Sequence, residues 1–413
     1  MGQRIAVVGA GYAGMAAAVS LAQRRIPVTV FESGPVPGGR ARRIRISSNG
    51  QGNELDNGQH ILVGAYSELF RLMRTVGVPA DAVLRLPLEL RYVGKFSFRS
   101  LGLPFPFGLL GGLLLARGLP ASERLGAVRF IATLRAAGFR LPQDIAVAEL
   151  LRRHRQDGAI GHYLWRPLCV SALNTPVEIA SSRAFLVVLR DALLGGGGAS
   201  DLVLPRVDLS RLFPDPAADF VARNGGEIRL RSPVEDLASL RKDFSAVIVA
   251  VGPQHLKNLL PGNLLPGVAD DFTYQPIYTC YLQYSDDVKL PFPMLGLAAG
   301  LVQWVFDRGQ LLGEKGRFAC VISAQGDHQQ MSQDEVAATC HRELLKAALV
   351  SESPAWSRVI AEKRATITCS VGRRAIETTM PGVYLAGDYT DPEYPPTLEA
   401  AVRSGVRAAN MIA

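Results

Sequence analysis

Cysteine is sparse in this chain: five in 413 residues, at positions 169, 280, 320, 340 and 369. Their number is odd, their spacing is wide, and none falls in a C-x-x-C or Cys/His metal-ligand pattern. This excludes a disulfide-framed secreted domain and a zinc module, and leaves reduced, buried thiols in a cytosolic protein. Long apolar runs are missing as well. The longest, residues 101–115, contains Pro104, Pro106 and four glycines. It is too short and too broken to span a bilayer, and suits an interfacial segment, a channel wall or an ordinary core helix and loop. The first apolar strand is expected from Arg4, which leaves no space for a signal peptide. There is no repeat, no low-complexity tract and no nucleic-acid-binding module. Charged residues make up 20% and hydrophobic ones 48%, a balance that excludes disorder and gives core enough for two joined domains. The net charge of +8 is mostly arginine, and fits either an anionic membrane surface or simply a basic proteome.

The chain does contain one complete unit, in residues 4–40. A β-branched run (Ile5, Val7, Val8) ends in Gly9-x-Gly11-x-x-Gly14. An Ala-rich helix follows, and a second β-branched run ends in the acid Glu32. Strand, glycines, helix, strand and acid in this register form a dinucleotide-binding fingerprint. Gly9 permits the tight turn, Gly11 lets backbone approach a pyrophosphate, and Gly14 lets helix pack on strand. The helix start supplies N–H groups and a positive dipole end for phosphate, and Glu32 can accept hydrogen bonds from ribose hydroxyls. Soon after the acid, Gly38-Gly39-Arg40 offers bare backbone and a guanidinium, which binds phosphate bidentately.

That combination resembles the flavoproteins of the amine oxidase and phytoene desaturase superfamily, and the C-terminus extends the resemblance. Gly387-Asp388 closes a buried strand, and a helix begins at Leu398-Glu399-Ala400-Ala401. By resemblance, Asp388 bonds the ribityl or pyrophosphate part of FAD. The helix start at Leu398 and Ala401 points N–H groups at the flavin edge that gains negative charge on reduction. The backbone at Val234 would meet the adenine. The implied fold is α/β: a Rossmann-like FAD-binding domain with a discontinuous α+β substrate domain. We expect the FAD-binding domain in residues 1–75, 205–255 and 360–413. The substrate domain then takes 76–204 and 256–359, partly helical and partly antiparallel sheet, with a mostly helical region from Ser67 to about Leu194 and antiparallel strands in 272–325. Residues 225–234 read as a hairpin-like element, and the four glycines at 195–198 as a hinge or loop.

Two further blocks narrow the resemblance. Asp56-Asn57-Gly58-Gln59-His60-Ile61-Leu62-Val63-Gly64-Ala65-Tyr66 follows the first hairpin, and Trp165-Arg166-Pro167-Leu168-Cys169 leads into Leu173-Asn174-Thr175-Pro176. With the FAD motifs, these blocks closely resemble the squalene-associated flavoproteins, the hydroxysqualene dehydroxylases of bacterial hopanoid pathways. The resemblance implies that reduced FAD converts hydroxysqualene to squalene and water. It also implies a lipophilic isoprenoid substrate, peripheral contact with the inner face of the membrane, and a separate flavin reductant, since one dinucleotide motif is present. No nucleic-acid partner and no metal are expected. The reaction needs a proton for the leaving hydroxyl, an apolar cavity for the allylic cation, and hydride from the flavin. His60 is the first candidate for the proton donor, with Asp56 orienting it or donating itself. The alternative is that His60 bonds FAD or a backbone carbonyl. Asn57 and Gln59 are read as fixing the loop, and Asn174 as a helix cap before a Pro-started turn in preference to a substrate role. An oxidative carotenoid desaturase shares the fold and substrate class. An amine oxidase fits less well, since only seven of the 45 basic residues are lysines and such enzymes often use a lysine-bound water.

Overall fold

The structure, a computed structural model, describes residues 4–48, 51–103, 106–260 and 272–412; Pro104 of the apolar run lies outside them. A five-stranded parallel sheet is built on Ile5–Val8, with Val28–Phe31 and then Glu227–Arg229 on one side and Ala246–Val249 and then Val383–Leu385 on the other. Ile5–Val8, Val28–Phe31 and Ala246–Val249 are buried along their whole length. Helices cover both faces of a parallel sheet, so its strands read as continuous apolar runs rather than alternating ones. The helix Tyr12–Gln23 crosses between the first two strands, and its alanines admit the C-terminal helix Leu398–Asn410 closely. A Cβ on Gly405 would lie 2.0 Å from the carbonyl oxygen of Ala13.

A second sheet has seven strands in the order Trp356–Ile367, Tyr274–Gln283, Arg317–Ser323, Trp304–Asp307, Met294–Gly296, Glu89–Tyr92, Phe96–Arg99. Its alternating side chains feed two apolar layers. Tyr281, Trp304 and Phe306 meet Phe130, Leu150 and Phe185 of the helices Ala121–Ala136, Val147–Arg153 and Ser182–Leu194. Cys280, Leu282, Val305 and Cys320 meet Val336, Cys340 and Leu344 of Gln333–Lys346. All five cysteines are buried.

Three expectations need correction. The region from Ser67 to about Leu194 is not helical throughout, because Val83–Leu86, Glu89–Tyr92 and Phe96–Arg99 are strands. Leu90, Tyr92, Phe96 and Phe98 are buried at a spacing of two, a strand period hidden beneath the apolar content. The hairpin-like element is one strand, Glu227–Arg229, running parallel to Val28–Phe31. Gly225, at φ +83°, turns the chain into it after the helix Pro214–Arg223. The strand Trp356–Ile367 also runs unbroken past residue 360, so the large sheet continues into a stretch expected to be FAD-binding.

Candidate active site

The glycine loop leaves the C-terminal end of Ile5–Val8. Gly9 has φ +103°, and a Cβ there would lie 2.7 Å from the Ala250 carbonyl oxygen. A Cβ on Gly14 would sit 1.9 Å from the Gly9 oxygen, so helix and turn touch through bare backbone. Gly11 meets nothing closer than the Gly39 Cα at 3.9 Å. It precedes the helix Tyr12–Gln23 with no side-chain cap and no acid in the first turn, so the helix start is open to an anion. The Gly38 N–H donates to the Ala10 carbonyl at 2.8 Å, and Gly38 bridges Gly11, which brings Gly39 and Arg40 beside the loop. Glu32 stands at the loop's edge, accepting from the Ala10 N–H at 2.8 Å and the Gly34 N–H at 2.7 Å. The Ser232 N–H donates to the Glu32 carbonyl. The chain therefore passes the same acid just before Val234, which packs into the cluster containing Phe31 and Val8.

Arg40 and Asp388, expected on the cofactor from opposite ends of the chain, meet directly. The Arg40 guanidinium donates to both Asp388 oxygens at 2.8 Å and to the Ala365 carbonyl at 2.7 Å. Gly387 is pressed against the Tyr389 ring, where a Cβ would lie 2.2 Å away, and its N–H donates to Ser404 Oγ. At the start of Leu398–Asn410, the Ala400 N–H donates to Thr397 Oγ1, and the Ala401 N–H to the Thr397 carbonyl at 3.0 Å. This corrects the reading of Ala401. It is the fourth helical residue, the first whose N–H has an acceptor within its own helix, so the N–H groups available at this end are those of Leu398 and Glu399. The Glu399 side chain is fully buried and turned inward, accepting from the N–H groups of Glu68 and Leu69 and from Arg403. It thus caps the helix Ser67–Thr75 and ties residues 56–66 to the C-terminal helix.

At the other end of that segment the structure reveals a residue that sequence reasoning missed. Arg308 is 1% exposed and donates to Asp56 at 3.2 Å, to Gln59 Oε1 at 3.1 Å, and to Glu314 at 2.7 and 2.9 Å. The other Asp56 oxygen accepts from the Leu209 N–H at 2.8 Å, and the Tyr281 hydroxyl donates to the Asp56 carbonyl. Asp56 therefore does not orient His60. Its carboxylate is taken by Leu209 and Arg308, and burial pushes its pKa above the usual range in spite of the arginine. The only cue in the sequence was a charged Asp307-Arg308 pair closing the apolar run Trp304-Val305-Phe306.

His60 bonds the Gly58 carbonyl through Nδ1 at 2.9 Å. Burial lowers its pKa, and the Arg40 charge acts in the same direction, against the pull of the Gly58 bond. The imidazole is therefore neutral at pH 7, with Nδ1–H donating and Nε2 left as an acceptor. Asn57 donates to the Arg40 carbonyl and to Glu362. Asn174 is a cap, but at the C-terminal end of Arg166–Leu173, in the left-handed region at φ +43°. Its amide accepts from the Ala324 N–H and donates to Thr366 Oγ1, clamping the helix to the large sheet.

A helix start at the loop with neither a side-chain cap nor an acid in its first turn, bare glycine backbone, a carboxylate for ribose, and the half-exposed Arg40 paired with the buried Asp388 form a donor set suited to an extended dinucleotide. Residues 12–413 match the flavin-containing amine oxidoreductase family. The chain belongs to that family. It is an oxidoreductase, and FAD is its cofactor. Among similar proteins, the hydroxysqualene dehydroxylase of Sinorhizobium fredii is 27% identical, over 100% of this chain and 98% of its own. That of Rhodopseudomonas palustris is 28% identical, over 100% and 99%. Among solved structures, a triple variant of putrescine oxidase superposes with a TM-score of 0.71 at 17% identity, covering 99% of this chain and 98% of that one. At such identity the likeness speaks for the fold alone.

Proposed function

We propose that the enzyme reduces hydroxysqualene to squalene, with loss of water, at the expense of reduced FAD. Bound reduced FAD supplies the hydride; the chain supplies the cradle, the proton route and a dry interior. Gly9, Gly11, Gly14 and Gly39 give the pyrophosphate its backbone approach. Glu32 takes the ribose, Val234 the adenine edge, Arg40 and Asp388 the pyrophosphate and ribityl region, and Leu398 and Glu399 the flavin edge. The observation that carries the substrate assignment is the apolar interior that begins beside His60. Ile61 and Leu55 join a single cluster of aliphatic and aromatic side chains that reaches Trp304, Phe185 and Leu113. Such an apolar surround suits a long hydrocarbon and is poor in the water that would trap an allylic cation. The full-length relationship to two dehydroxylases supports the same reading.

His60 is the proton carrier in this scheme. Nδ1–H is anchored on Gly58, so a proton for the leaving hydroxyl travels on Nε2. Asp56, held by Arg308, positions the loop. The work is done at the cytoplasmic face of the membrane, where the substrate partitions, with electrons from a separate reductant. The test is anaerobic turnover of hydroxysqualene in heavy water with chemically reduced enzyme. Squalene carrying one deuterium at the carbon that lost oxygen is expected, because the flavin hydrogen exchanges with solvent. Oxidation of a carotenoid precursor or an amine, with the flavin becoming reduced, would overturn the assignment.

A further inference from the structure

The positive charge of this protein is not spread evenly. Residues 91–140 carry eight Arg and Lys side chains against the single acid Glu123, a net +7 of the chain's +8. Glu123 is turned inward, accepting from the Ile160 N–H at 2.6 Å. The same stretch contains the helix Phe107–Leu114, which shows solvent large apolar side chains while its glycines pack inward. Its glycines face the protein: a Cβ on Gly108 would lie 2.5 Å from the Leu101 oxygen, and one on Gly112 2.4 Å from the Arg99 oxygen. Leu109 and Leu113 point inward with them, but Phe107 is 65% and Leu115, just beyond the helix end, 67% exposed, beside Leu103 at 56% and the exposed Leu114. A surface helix in water normally buries its Phe and Leu and shows solvent its small residues. Here glycine draws the helix onto residues 98–103 and leaves Phe107 and Leu114 outside.

Around it stand cations. Arg124 reaches the Leu114 carbonyl at 2.8 Å, and Arg117 is held by paired backbone bonds to Ser97. Arg91 and Arg99 share Glu89, two cations on one buried acid. A cleft of about 630 Å³ lies alongside, walled by Arg91, Arg99 and Arg117 and by the apolar Tyr92, Phe98 and Leu115. The inner side of the helix, through Leu109 and Leu113, belongs to the cluster that extends to Ile61.

We propose that this face docks on an anionic lipid bilayer, with Leu103, Phe107, Leu114 and Leu115 among the acyl chains and the surrounding arginines at the headgroup phosphates. Exposed apolar groups ringed by cations fit the depth profile of a leaflet, where hydrocarbon lies beneath phosphate. The cleft then opens toward the membrane side of the substrate region; this last point rests on the isoprenoid reading, whereas the docking itself does not. Among the described residues no helix is long and apolar enough to cross a membrane, so contact is made with one leaflet.

The test uses FAD-loaded enzyme and vesicles of phosphatidylcholine with or without 30% phosphatidylglycerol (about 30%, enough to give a negative surface). Flotation with the anionic vesicles, reduced by salt, is expected. Phe107→Trp should shift its emission to the blue on binding and be quenched by lipids brominated on their acyl chains. Arg117→Ala and Arg124→Ala should each weaken partitioning about fivefold. The pair Phe107→Asp with Leu115→Asp should abolish it while flavin absorbance stays unchanged. Failure of Phe107→Trp to be quenched overturns the proposal, as does self-association by sedimentation that hides this face and is lost in the Asp pair. None of these readouts needs turnover, so a wrong substrate would not mask the result.

Discussion

Replacing Arg308 by Met tests whether residues 56–60 are held by a buried charge network. Met fills most of the volume but leaves Asp56, 4% exposed, without its cation. Removing one partner of a buried pair typically costs about 3–5 kcal/mol. The structure sets a ceiling on the Asp56 part of this. A carboxyl of ordinary pKa 3.8 can escape by taking up a proton, at a cost of about 4 kcal/mol at pH 7. Gln59 loses a donor as well, worth about 1 kcal/mol, while Glu314, partly exposed, returns to water. The expected loss at pH 7.5 is therefore about 3–5 kcal/mol. It should shrink on acidification, because the variant's Asp56 is raised further than the wild type's and sheds its penalty as it protonates. Urea unfolding followed by circular dichroism at pH 5.5 and 7.5 reads both numbers. Asp56→Asn in the Arg308→Met background should recover most of the loss. A loss below about 1 kcal/mol, or one equal at both pH values, would refute the reasoning.

Glu32→Ala should raise the FAD dissociation constant about 10- to 150-fold, since bonds to a charged acceptor contribute about 1.5–3 kcal/mol, as measured by titrating apoprotein with flavin. Gly405→Ala should lower stability by about 1–3 kcal/mol, as a methyl has no space against the Ala13 carbonyl; an unchanged melting temperature would mean the helices can separate freely. His60 has a folded-state pKa below its ordinary 6.5, so the unfolded chain binds the proton first. Its contribution to stability is complete above pH 6.5 and is lost as the pH falls through the folded value, a slope that His60→Gln should remove. If the protonated imidazole is also the acid, turnover per bound flavin should rise from pH 8 to pH 6 in the wild type and stay flat and low in His60→Gln.

The dinucleotide unit was legible in the sequence because its requirements are local. Gly9 must take a positive φ, Gly14 must lack a Cβ because its own turn lies 1.9 Å away, and Glu32 must end a strand. Each of these is settled within about thirty residues of chain. The flavin cofactor and the family came from the resemblance that motifs at such fixed spacings carry. What the sequence could not carry was anything decided by partners far apart in the chain. Arg40 and Asp388, 348 residues apart, form an ion pair. Asp56 answers to Arg308 across 252 residues rather than to His60, four away. Ala401 lost its assigned N–H to the Thr397 carbonyl, although the helix starts at Leu398 as expected. The strands at 83–99 were obscured because apolar content outweighed their period of two, until distant partners gave them somewhere to pair: Leu202–Pro205 for Val83–Leu86, and the edge of the large sheet for Glu89–Tyr92 and Phe96–Arg99. Charge shows the same division. Composition determined that the chain is basic, but only the folded surface, where glycines turn Phe107 and Leu115 outward amid arginines, decided where that charge and apolar surface act together.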